Sequence, residues 1–137
     1  MAQSGQPLSQ VIPLLVAALV CDVAVADPGT GKKNLIGIFN RINVGEFPAY
    51  RPMSIYFKIG DAEGRYDFEV SYVEVNSGDV LAKAGGQLTV SHRLESHDLY
   101  ISFPPLLIRA QGRYEFQIWA NSMFLGSTFI DAIPRSR

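Results

Sequence analysis

Hydrophobic and polar residues alternate with a period of two over most of the chain. Between Arg113 and Ile118 every second residue is apolar, which places Tyr114, Phe116 and Ile118 on one face of a strand. The same period predicts three further sets of core residues: Met53, Ile55, Phe57 and Ile59; Tyr66, Phe68, Val70 and Tyr72; and Leu99, Ile101 and Phe103. Since no segment shows a helical apolar stripe bounded by caps, the pattern predicts an all-β protein.

Turn signals separate these runs, among them Asp27-Pro28-Gly29 and Asn121-Ser122. Short strands at this spacing are typical of a two-sheet antiparallel sandwich, here predicted to be immunoglobulin-like, with a small β-barrel as the alternative. The Cys, Trp and Cys hallmark of immunoglobulins is absent, because Trp119 has no disulfide to pack on. About eight strands are predicted, near residues 12–25, 33–43, 51–60, 65–75, 79–90, 96–103, 112–120 and 123–131.

The N-terminal apolar run, residues 11–20, admits two interpretations. With Ala24-Val25-Ala26 as a cleavage site, residues 1–26 resemble a signal peptide and the protein would be secreted. Against this, residues 1–10 contain no Lys or Arg, and the run is too short for a helix that crosses a bilayer. We expect instead a first strand buried on both faces, in a cytoplasmic protein.

The length of 137 residues suits one domain. We predict a flexible N-terminal tail over residues 1–10, a single β-sandwich domain over residues 11–133 and a C-terminal tail over residues 134–137. Twelve basic and thirteen acidic residues leave a net charge of −1, which gives no field to attract nucleic acid or anionic lipid. The single cysteine, Cys21, lies in an apolar run and is expected to be a buried small hydrophobe.

Residues 26–33 approach the spacing of a phosphate-binding loop. Lys33 stands where that motif needs Ser or Thr, and the residues that follow favour a strand rather than a helix. The segment is therefore expected to be a turn with solvated lysines. A weaker alternative is an anion-binding nest of backbone N–H groups with Lys32 and Lys33.

His92 and His97, with Glu95 and Asp98 nearby, are the candidates for a metal site or a general base. Their spacing matches no zinc pattern, and we expect a solvated loop. No nucleophile elbow or closely spaced Ser, His and Asp set is visible in the sequence. The sequence thus predicts no catalytic residue, no metal ligand and no cofactor, and an undetected hydrolase is a remote alternative.

Several aromatic residues lie beside the core positions or on the opposite parity of their strands. An exposed aromatic patch would suit a protein partner or a sugar ring, unless loops or a neighbouring subunit cover it. Lys32, Lys33, Tyr100 and Trp119 are the candidate binding residues. The aromatic residues placed in this way are Tyr50, Tyr56, Tyr72, Tyr100 and Trp119.

A set of short motifs resembles an uncharacterised family of small bacterial proteins, catalogued as a domain of unknown function. The motifs are Cys21-Asp22, Thr30-Gly31-Lys32, residues 35–39 (Leu-Ile-Gly-Ile-Phe), Phe47-Pro48 and residues 112–116 (Gly-Arg-Tyr-Glu-Phe). The resemblance implies a bacterial β-sandwich, cytoplasmic and single-domain, and it carries over no catalytic residue.

We therefore expect a non-enzymatic protein-interaction or structural module that acts through sheet edges, loops or an aromatic face. Its expected partner is another protein or a second copy of itself, and neither nucleic acid nor membrane. The alternative is a sandwich that binds a small ligand, either a carbohydrate or an anion.

Overall fold

The computed structural model describes residues 11–136, and these form strands joined by turns and loops. No helix in that part of the chain is long and apolar enough to cross a membrane. Nine strands follow in order: β1 (Leu14–Ala26), β2 (Lys33–Ile38), β3 (Arg41–Val44), β4 (Ala49–Gly60), β5 (Gly64–Glu74), β6 (Asp79–Val90), β7 (His97–Ile108), β8 (Gly112–Ala120) and β9 (Met123–Pro134).

The strands form two sheets, which confirms the predicted all-β sandwich. One sheet has the order β2-β1-β4-β7 and the other has the order β3-β9-β8-β5-β6. They are not closed into a single ring of hydrogen-bonded strands, so the alternative of a barrel was wrong. The pairing of β3 with β9 is parallel, whereas an antiparallel arrangement was predicted throughout. The predicted strand over residues 33–43 is in fact two strands, because the chain crosses between the sheets after Ile38.

The core lies between the sheets and includes most of the residues that the period of two predicted. Phe57 from the four-stranded sheet and Tyr66, Tyr114 and Phe116 from the five-stranded sheet are fully buried. Leu99 and Ile101 are only partly buried but pack against this core. The Tyr114 hydroxyl donates to the carbonyl of Ala110 at 2.6 Å and accepts the N–H of the same residue at 3.0 Å, which fixes the corner before β8.

The prediction that β1 is buried on both faces was wrong. Val23 and Val25 are 46% and 44% exposed, and the residues across from them on β2 are exposed as well. Only Val20, Cys21 and Ala24 of this strand are buried. The reason is that the second half of β1 leaves the core.

The predicted tails fall at the limits of the described chain. Residues 1–10, expected to be an N-terminal tail, lie outside the described residues. At the other end β9 continues to Pro134, and the N–H of Arg135 donates to the carbonyl of Val44 at 2.8 Å.

Candidate functional site

The outer half of the β1–β2 hairpin folds over the face of its own sheet. β2 and β7 are the two edges of the four-stranded sheet, yet Lys33 Nζ lies 3.0 Å from Asp98 Oδ1. This contact requires the hairpin to leave the sheet after Cys21, the last residue of β1 that pairs with β4, and to cross the outer face of β4 and β7. Cys21 and Ala24 are buried there and lie outside the core cluster. Part of this face is thus covered by the chain itself.

The bend in the hairpin is possible because Gly37 stands opposite Asp22. Gly37 has a φ of 71°, in the left-handed region that side chains disfavour. A Cβ atom at this position would be 2.2 Å from Asp22 Oδ2. Asp22 in turn accepts a hydrogen bond from Arg51 Nη2 at 2.6 Å, which holds the bend against the start of β4.

Beneath the hairpin lies a polar strip centred on Asp98. Its carboxylate accepts hydrogen bonds from Lys33 Nζ at 3.0 Å and from the Tyr56 hydroxyl at 2.9 Å. Partial burial raises the pKa of Asp98, but the bonds from Lys33 and Tyr56 outweigh it and hold the pKa below its usual value. Burial, together with the bond to Asp98, raises the pKa of Tyr56 to about 12. We call these two contacts, the ion pair with Lys33 and the hydrogen bond from Tyr56, the Asp98 latch.

We expect Asp98→Asn to lower the free energy that holds the hairpin against the sheet by about 1 kcal/mol at neutral pH. The effect is small because the ion pair is partly exposed and therefore screened by solvent. Because folding depresses the pKa of Asp98, its stabilisation is present above the unfolded pKa near 4 and is lost as the pH falls through the lower folded value. Amide hydrogen exchange over residues 33–38 at pH 7 should be faster in the variant. The difference in unfolding free energy from the wild type should shrink by pH 3.

Asp61→Asn is the matched control. Asp61 has a φ of 50°, which asparagine also tolerates, and the same charge is removed from an exposed turn. An equal acceleration of exchange in both variants would mean that charge alone, and not the latch, holds the hairpin.

The loop that carries Lys32 satisfies its own donors. The carboxylate of Asp27 accepts hydrogen bonds from the N–H and the hydroxyl of Thr30, at 2.8 Å and 2.7 Å, and these bonds lower its pKa. The N–H of Gly31 donates to the carbonyl of Asp27, and Lys33 is engaged with Asp98. Lys32 is exposed beside them. The nest therefore already holds a carboxylate, and an external anion at Lys32 and Lys33 stays a prediction.

The structure separates the predicted binding residues into two groups. Lys33 and Tyr100 belong to the four-stranded sheet, where Tyr100 is paired with Tyr56 and half-buried. Trp119 lies on the outer face of the five-stranded sheet, beside a groove of about 520 Å³ that we call the Trp119 groove. The groove also has Asp67, Glu69, Ser71, Lys83 and Gln117 in its lining.

The aromatic residues do not form the single patch that their parity suggested. Tyr72 is completely buried, where its ring stacks on Tyr114 at 5.5 Å between centroids. Tyr50 is 68% exposed, and Trp119 is on the opposite sheet. The reason is that Tyr72 points into the core between the sheets, whereas Tyr50 and Trp119 belong to different sheets.

The two histidines lie at the approach to β7. His97 Nε2 is 3.7 Å from Glu95 Oε1, and His92 is exposed. Within residues 11–136, no group of three or more His, Cys, Asp or Glu is placed to hold a metal ion. Cys21 is fully buried as predicted, and this burial raises the pKa of its thiol.

Sequence reasoning missed the carboxylates and amides around Trp119. Their signal was available: Asp67, Glu69 and Ser71 alternate with the core residues of β5, and Gln117 does so on β8. What was lacking was the register that sets Glu69 opposite Trp119 and Ser71 opposite Gln117.

Comparison with known proteins gives a family but no activity. A family model described as a family of unknown function, DUF6941, matches residues 16–131. No curated protein matches the chain. Among solved structures the chain is similar to the Pseudomonas fluorescens alkylpurine DNA glycosylase AlkC bound to DNA containing an abasic site analog, with 13% identity and a TM-score of 0.49. That match covers 87% of this chain and 30% of the glycosylase chain.

Proposed function

Since the chain belongs to DUF6941, a family of unknown function, we propose from its own surface that it is a non-enzymatic interaction module that pairs with a second copy of itself. The observation that carries this proposal is the outward face of the folded-over hairpin. Val23 and Val25 on β1 and Ile36 and Ile38 on β2 are all between 44% and 58% exposed. A contiguous exposed apolar surface of this kind is typical of a protein contact.

The edge of β2 strengthens the proposal. β2 pairs only with β1, so its other side presents free backbone donors and acceptors to a further strand. Of the other three edge strands, β7 contains Pro104 and Pro105, β3 spans only Arg41–Val44, and β6 carries the charges of Asp79 and Lys83. The one charge of β2, on Lys33, is directed to Asp98 beneath the hairpin.

A second copy is the occupant that this surface fits. In a two-fold dimer identical patches meet, so a charged patch would repel itself whereas an apolar one is self-complementary. Antiparallel pairing of β2 with β2 would join the two folded-over hairpins into one four-stranded layer. The small net charge of −1 leaves little repulsion between the copies. The latch at Asp98 presents the hairpin in a defined orientation before the partner arrives.

The finer assignments made from the sequence belong to the same proposal. The fixed corner at Tyr114 and Ala110 resembles the tyrosine corner of immunoglobulin-like sandwiches, and this likeness supports that description of the fold. Removal of residues 1–26 as a signal peptide would delete β1 from between β2 and β4. We therefore propose that the protein keeps this strand and is cytoplasmic; its resemblance to small bacterial proteins supports a bacterial source.

We expect Ile36→Lys to abolish self-association. Light scattering behind a sizing column should give twice the chain mass of 15.1 kDa for the wild type and the single-chain mass for the variant. A lysine at the centre of a two-fold contact places two like charges together and removes apolar contact, which should weaken dimerisation by at least about a hundredfold.

Leu94→Lys is the control, because Leu94 is 98% exposed in the loop before β7 and the substitution makes the same change of charge. It should leave the dimer intact. A wild-type protein that has the single-chain mass at all concentrations up to the millimolar range would contradict the proposal, and so would a dimer that both lysine variants preserve.

A further inference from the structure

The Trp119 groove lies on the sheet that does not contain β2, and it has the composition of a binding site. Its volume of about 520 Å³ falls within the range of small-ligand sites. Carboxylates come from β5, a lysine from β6, and an amide and an indole from β8. Because these side chains project from hydrogen-bonded strands, their relative positions are set by the sheet register rather than by a loop.

Trp119 supplies a flat apolar surface whose orientation is constrained. Its ring packs edge to face against Phe124 on β9, with 5.2 Å between centroids and an interplanar angle of 63°. Across the sheet its partner is Glu69, so a carboxylate stands beside the indole. An aromatic plane next to hydrogen-bonding groups is suited to a ligand with an apolar face and a polar rim.

The polar groups of the groove are both donors and acceptors. Asp67 and Glu69 accept hydrogen bonds, and Lys83 donates them; Glu69 and Lys83 are 3.9 Å apart and more than half exposed. Ser71 and Gln117 can do both. Two carboxylates beside one lysine disfavour an anion, whereas hydroxyl groups match a mixed set because each hydroxyl donates and accepts.

One carboxylate oxygen of Asp67, in the wall of the groove, accepts no hydrogen bond from the described residues. This atom, Oδ1, is buried. Buried polar atoms in folded proteins are nearly always paired, so an unpaired one in a groove wall requires an explanation. A change of the Asp67 rotamer would turn Oδ1 into the groove, where a ligand hydroxyl would supply the missing donor.

We propose that the Trp119 groove binds a neutral carbohydrate chain, with a sugar ring stacked on Trp119 and its hydroxyls bonded to Asp67, Glu69 and Gln117. This site is independent of the dimer contact, because it lies on the other sheet. It adds ligand recognition to a module otherwise proposed to act through β2.

Trp119 is the single tryptophan of the chain, so its fluorescence reports directly on the site. The full-length protein should be titrated with neutral oligosaccharides of four to six sugars, namely the cello-, xylo-, malto- and chito-series, with calorimetry in parallel. At least one series should shift the emission and bind in the calorimeter. Trp119→Ala should weaken the calorimetric affinity at least about tenfold, and Glu69→Gln should weaken it as well.

Tyr50→Ala is the control, since Tyr50 is exposed on the other sheet and its loss should leave the affinity unchanged. The proposal is overturned if no series binds at millimolar concentration, or if Trp119→Ala binds as tightly as the wild type. Response to inorganic phosphate instead of sugars would replace it with an anion site. The Ile36→Lys variant should bind sugar normally, so failure here and failure of the dimer are distinguished.

Discussion

Phe116→Ala is expected to lower the free energy of unfolding by about 3–5 kcal/mol. Phe116 is completely buried at the centre of the sandwich. Its ring lies 5.1 Å from that of Tyr72 on the neighbouring strand and 6.0 Å from that of Phe103 on the opposite sheet. Removal of the ring opens a cavity between the sheets and takes away contacts that join them, because a packed core only partly collapses around a void.

Chemical denaturation followed by circular dichroism measures this loss. Trp119→Ala is the comparison on the same strand, because the indole is only partly buried on the outer face, where it packs against the ring of Phe124. That change should lower the free energy of unfolding by about 1 kcal/mol. An equal loss of unfolding free energy in both variants would contradict the assignment of Phe116 to the core and of Trp119 to the surface.

Gly85→Ala is expected to lower the free energy of unfolding by about 2–3 kcal/mol, with a melting temperature reduced by roughly 10 °C. A Cβ atom at Gly85 would lie 2.4 Å from the carbonyl oxygen of Phe68, a backbone atom on the neighbouring strand. Backbone cannot rotate away as a side chain can. Accommodation of one methyl group therefore requires β6 to move relative to β5 along their shared register.

The adjacent glycine provides a close control. A Cβ atom at Gly86 would meet nothing within 4 Å, and the residue is exposed. Gly86→Ala should change the free energy of unfolding by no more than about 0.5 kcal/mol. Alanine lowers the conformational entropy of the unfolded chain, and this gain offsets a small cost in the folded state. Calorimetry on the two variants decides the matter, and similar melting temperatures would show that the close approach of β5 and β6 relaxes at little cost.

The alternation of apolar and polar residues was sufficient to predict the buried residues where a strand has one buried and one exposed face. Tyr114, Phe116 and Ile118 alternate with polar residues, and all three are fully buried. The same signal failed for β1, whose continuous apolar run was interpreted as burial on both faces. In that strand the apolar residues near Val23 face outward on the folded-over hairpin, and a run without polar residues does not say which side is covered.

The candidate surfaces depend on contacts between residues far apart in the chain. Lys33 was singled out as a loop charge and Asp98 as a possible metal ligand, but their ion pair joins positions 65 residues apart. Trp119 was named without its neighbours, because Glu69 and Lys83 reach the groove only through the register of β5 with β8 and with β6. A period of two indicates which face a residue occupies, not which residue stands beside it.

The sequence by itself determined the strand content, the turns and most of the core, because these follow from a local alternation of polarity that each strand carries alone. Only the tertiary structure decided that the chain crosses between sheets after Ile38, that the β1–β2 hairpin folds over β4 and β7, and that Trp119 lies in a groove. These features arise from pairing and packing between distant segments, whose free energies are set by the whole arrangement rather than by any one stretch of residues.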